Sequence, residues 1–230
     1  MNLSTARTLG LLLLAALVCG LFSSVPAIEE SNYLTTLASI GPQINLAIVF
    51  QAMMAMLYVA IVVVTYPIVK TVSPVHAIAY LAFRLTGAAF LVVGIVSLML
   101  FHTLGQQMAQ AGLNPPAYYE TLGMLLRQTR DGLNHVGMIL PWVIGGLFLY
   151  HALLKTRLIP RWLSAWGIAG IAFTLVATLL YMLSMVRGVS SPVYLILNVP
   201  LALQEITFAV YLLARGFRKE PFASMAMAGR

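Results

Sequence analysis

The side chains best able to do chemistry in this chain are the few charged and hydrogen-bonding ones that interrupt long apolar runs. Arg84 and Glu205 lie well inside such runs, and Asn198 precedes Glu205 by seven residues, which is two helical turns on one face. Gln51, Tyr58 and Thr65 repeat every seven residues on another run and so share a face as well. A polar group in hydrocarbon is costly unless it faces another helix or a wet cavity. The intramembrane set Arg84, Glu205, Asn198, Gln51 and Tyr58 therefore reads as a polar interior that could bind or pass a small solute or ion. Read as packing alone, the same residues would lock a non-catalytic scaffold or sensor. Glu205 is the one acid well inside a run, so Arg84 and Glu205 are expected to form a buried ion pair.

A second group suggests an enzyme. His102, Asp131 and His135 fall at the facing ends of two consecutive runs, with Asp131 one turn before His135. They could supply nitrogen and oxygen ligands for zinc or a similar ion. Such an ion could activate water, which makes a membrane-embedded metal-dependent hydrolase the alternative function. Histidines and acids at an interface are also readily solvated or bonded to nearby backbone. The sequence has no HExxH, no GxSxG and no phosphate-cradling glycine loop. Met53, Met54 and Met56 could hold copper, although flexible thioethers more readily fill gaps between helices. Cys19 is the single cysteine, which excludes an internal disulfide and a cysteine metal cluster. No resident cofactor is expected apart from that zinc-type option.

The elements that must position these residues are transmembrane helices. Hydrophobic residues make up 61% of the chain and charged residues 8%, with a mean hydropathy of +0.94. A soluble domain is closer to about 25% charged. Six apolar runs, each long enough to cross a core of about 30 Å, cover Thr8 to Val25, Ile44 to Val69, Ala77 to His102, His135 to Leu154, Trp162 to Val186 and Val193 to Ala214. The expected fold is all-α, a polytopic bundle of about six transmembrane helices over 1–217, with a flexible cytoplasmic tail at 218–230. A long loop is expected from Thr103 to Asn134.

Nine basic residues fall on one side of the six spans (Arg7, Lys70, Lys155, Arg157, Arg161, Arg215, Arg218, Lys219, Arg230), and three on the other (Arg127, Arg130, Arg187). The positive-inside rule then places both termini in the cytoplasm, in a bacterial inner membrane. The formal charge of +7 follows from this topology, and no basic stripe with interleaved aromatics points to nucleic acid. The first run and its Val25-Pro26-Ala27 ending resemble a cleavable signal, but further spans follow at once, as in a retained signal anchor. The basic residues around Ile159 to Trp162 could meet anionic lipid head groups, with Trp162 and Trp166 as interfacial anchors.

Particular segments carry a family resemblance: YPIVK at Tyr66 to Lys70, YLAFR at Tyr80 to Arg84, RLIPRWLSAWG at Arg157 to Gly167, and LALQE followed by ARGF at Leu201 to Phe217. Over nearly its whole length the chain resembles DUF4386, a bacterial membrane family catalogued as a domain of unknown function. The resemblance implies a multi-helix bundle and no established activity. The family often carries a glutamate three residues after the arginine of the third run, where this chain has Gly87. That departure implies that Arg84 lacks a local partner and turns to Glu205.

Overall fold

The computed structural model describes residues 3–30, 32–111 and 117–218. Helix α1 (Leu3–Phe22) is followed by two single-turn helices, α2 (Pro26–Glu29) and α3 (Tyr33–Thr36). Long helices α4 (Gly41–Lys70) and α5 (Pro74–Ala111) come next, then α6 (Tyr118–Asp131). A π-helical segment, Gly132–Met138, joins α6 to α7 (Ile139–Thr156), and α8 (Arg161–Met182) and α9 (Pro192–Arg215) follow. Prolines mark several starts, at the first turns of α2, α4 and α9, where a missing N–H costs nothing. Ser191 caps α9 by accepting a hydrogen bond from the Tyr194 backbone N–H at 3.4 Å.

Among the described residues six helices are long and apolar enough to cross a membrane, with α6, the π segment and α7 counting as one run of 39 residues. Each packs on its neighbour in sequence and α9 returns to α1, so the six close into a ring, with α4 and α7 meeting across it. The closing contact is tight, because a Cβ on Gly10 of α1 would lie 2.9 Å from the Ala209 carbonyl oxygen of α9. Large apolar side chains such as Leu11, Val63, Ile78 and Ile196 are exposed around the outside. That is the arrangement expected where the surrounding solvent is lipid. The protein is a multi-pass membrane protein.

Two sequence expectations change here. The segment from Thr103 to Asn134 is largely helical: α5 runs on to Ala111 and α6 begins at Tyr118, so both spans extend beyond the hydrocarbon. At 1.5 Å per residue, the 38 residues of α5 reach about 57 Å, against a core of about 30 Å. Arg218, assigned by sequence to the tail, donates its backbone N–H to the Leu158 carbonyl at 2.9 Å. The rest of that tail, 219–230, lies outside the described residues. Gly216 packs against Leu3 and Ala6, so the chain enters and leaves the bundle at the same end, the basic one.

Candidate functional site: a polar cavity beside the π-helical segment

Pro141 has no N–H to give to the carbonyl four residues earlier, and its ring crowds that carbonyl. The turn just before it widens into the π-helix Gly132–Met138, a distortion that frequently marks functional positions. The widened segment presents Asn134, His135 and Met138 to a cavity of about 290 Å³ between α1, α4 and α5. Gln51 and Tyr58 of α4, Ser23 and Ser24 just past α1, and Arg130 complete its polar lining.

The polar groups around the cavity are ordered by specific bonds. Gln51 Nε2 donates to the Leu91 carbonyl at 2.9 Å and to Asn134 Oδ1 at 3.3 Å. Gly94 makes that meeting possible, since a Cβ there would stand 2.5 Å from both amide side chains. His135 Nδ1 shares a hydrogen bond with the Tyr194 hydroxyl at 3.0 Å. Arg130, buried at the cavity edge, pairs with Glu29 at 2.8 Å and with Asp131 at 3.5 Å. Glu29, Asp131, Arg127 and Arg187 line a second, wider recess of about 540 Å³ at this acidic end of the bundle.

Towards the middle of the bundle the cavity gives way to an aromatic stack. The Tyr58 ring lies 3.8 Å from the Trp142 ring, nearly parallel at 15°. The Arg84 guanidinium carbon sits 3.7 Å from the Trp142 ring centre. Two groups so close cannot share one face of an indole, so Trp142 is sandwiched between Tyr58 and Arg84. The aliphatic stem of Arg84 lies flat on Gly145, where a Cβ would be 2.8 Å from its Cγ. A desolvated cation over tryptophan gains about 2 kcal/mol, so this is a real partner for the charge.

The model of one family, described as a domain of unknown function (DUF4386), matches residues 8–216. The chain belongs to the DUF4386 family. No curated protein and no solved structure matches the chain.

Within this DUF4386 bundle the sequence-derived sets are redistributed. Gln51 and Tyr58 reach the cavity. Asn198 instead donates to the Tyr194 carbonyl of its own helix at 2.8 Å. The expected Arg84 to Glu205 ion pair does not close to within 4 Å among the described residues, and the guanidinium lies instead on the Trp142 ring. Glu205 is half-buried beside Gln204, which accepts from the Tyr150 hydroxyl at 2.7 Å. Gly87 packs closely on the π segment, where a Cβ would be 3.0 Å from the Met138 carbonyl oxygen, so a larger side chain there would push that segment outward.

The proposed metal ligands are not brought together. Among the described residues no three His, Cys, Asp or Glu side chains converge. His102 turns towards Gly41 and bonds Gln106 at 3.0 Å, His135 faces Tyr194, and Asp131 faces Arg130. Helix rotation, which end positions alone do not give, separates them. Of the three methionines only Met54 faces inward, with Met53 and Met56 exposed. Sequence reasoning missed Arg130, Asn134, Met138 and Trp142. The available signal was Pro141, which marks a disturbed turn immediately before it.

Proposed function

We propose that this protein binds a small solute in the cavity beside the π-helical segment, entering from the acidic end. The observation that carries this reading is the cavity itself: about 290 Å³ between spanning helices, lined by Gln51, Asn134, His135 and Arg130. Ligand sites are concave, largely apolar and fitted with a few converging polar groups, and this volume lies at their small end. The basic-residue asymmetry supports a bacterial inner-membrane location with both termini cytoplasmic, so that the cavity opens outward. Passage through the bundle would then require the Tyr58 and Trp142 rings to part.

Binding is tested by melting the purified full-length protein against a panel of small polar solutes. The expected result is a saturable rise in melting temperature for a subset of them. Gly94→Ala drives a methyl between Gln51 and Asn134 and should abolish that rise. A silent panel, or a response untouched by Gly94→Ala, would remove the cavity as the binding site.

A further inference from the structure

Among the described residues Arg130 is bonded on one side only. Both of its ion pairs leave from Nη1, at 2.8 Å to Glu29 and 3.5 Å to Asp131, while its Nε is buried with no hydrogen-bond partner among the described residues. A guanidinium grips a carboxylate through two parallel N–H groups along one edge. With Nη1 held by the chain's own acids, the donors left over are those of the Nε–Nη2 edge, on a residue that lines the cavity. The residue is 7% exposed, so little bulk water reaches that edge.

The surrounding charges favour the same ligand class. Among the described residues Arg130 is the only permanently charged one lining the cavity, while Glu29 and Asp131 line the outer recess together with Arg127 and Arg187. Among the described lining residues of the two spaces three arginines face two carboxylates, so the positive charge is local to the walls of an end that is acidic as a whole. Asn134 has its Oδ1 engaged by Gln51, which leaves its Nδ2 to donate. Met54, Leu91 and Met138 supply an apolar wall.

We infer that the solute is a small organic carboxylate, held by the Nε–Nη2 edge of Arg130 with its hydrocarbon part against Met54 and Met138. This rests on the cavity being the solute site, and its small volume limits the ligand to a short chain or a single ring.

The test compares sodium butyrate and sodium benzoate with butyramide, benzamide and sodium chloride, each titrated into the full-length protein in nanodiscs while its melting temperature is followed. The carboxylates should give a saturable rise that the amides and the chloride do not. Arg130→Lys keeps the charge but loses the fork, and should weaken the carboxylate response about tenfold. Amides acting as strongly as carboxylates would overturn the inference on the native protein alone, without any variant. So would a carboxylate response that Arg130→Lys leaves unchanged, and in either case a solute site would still stand. If carboxylates, amides and the wider solute panel all leave the melting temperature unmoved, both this inference and the solute reading fall.

Discussion

Arg84 and Arg130 are buried to nearly the same degree, at 4% and 7% exposure, yet their surroundings are opposite. Arg84 lies against Trp142, Tyr80 and two glycines, with no carboxylate in contact among the described residues. Arg130 is tied to two carboxylates and borders an open cavity. A buried charge can be covered by aromatic faces packed tightly around it, as at Arg84, whose Nε also lacks a hydrogen-bond partner among the described residues, or met by ions and polar groups that leave room beside it. The first solution stabilises a bundle and the second can recognise a ligand. The solute site proposed above therefore lies at the end of the bundle that holds Arg130, although Arg84 is the more conspicuous residue in the sequence.

The contrast can be broken most forcefully at Trp142. Trp142→Ala removes a large buried ring and uncovers the Arg84 charge, which should destabilise the protein by about 3–5 kcal/mol in a reversible unfolding titration. A loss under about 1 kcal/mol would show that the guanidinium has another partner. The smaller effect is expected at Glu205. Since Arg84 does not contact that carboxyl among the described residues, Glu205→Gln should change stability by no more than about 1 kcal/mol. A loss of about 3–5 kcal/mol would instead reveal the buried ion pair that the sequence suggested.

Much of the frame was legible because hydrophobic length and helical period are local properties. All six apolar runs became spanning helices, and Gln51 and Thr65, seven-residue repeats of one face, are both buried. The cavity was not legible, since it depends on a change of backbone register. A regular 3.6-residue period cannot register the π segment, and so it misplaces Asn134 and Met138. The histidines failed for a related reason: ends of neighbouring helices share a depth, but helix rotation decides what each side chain faces. His76 and His151, at the basic end, have ring centres 5.7 Å apart, whereas His102 and His135 each bond elsewhere.

The central claim is that the space beside Asn134 is open to solvent while the space beside Arg84 is sealed. Thiol labelling measures both in one experiment. With Cys19→Ser as background, Asn134→Cys places a thiol in the cavity wall, and Ala88→Cys places one among the buried residues on the Arg84 face of α5. In intact cells, a membrane-impermeant thiol reagent added from outside should label the Asn134→Cys protein readily and leave the Ala88→Cys protein untouched. Equal labelling at both positions, or labelling at Ala88→Cys alone, would contradict the account.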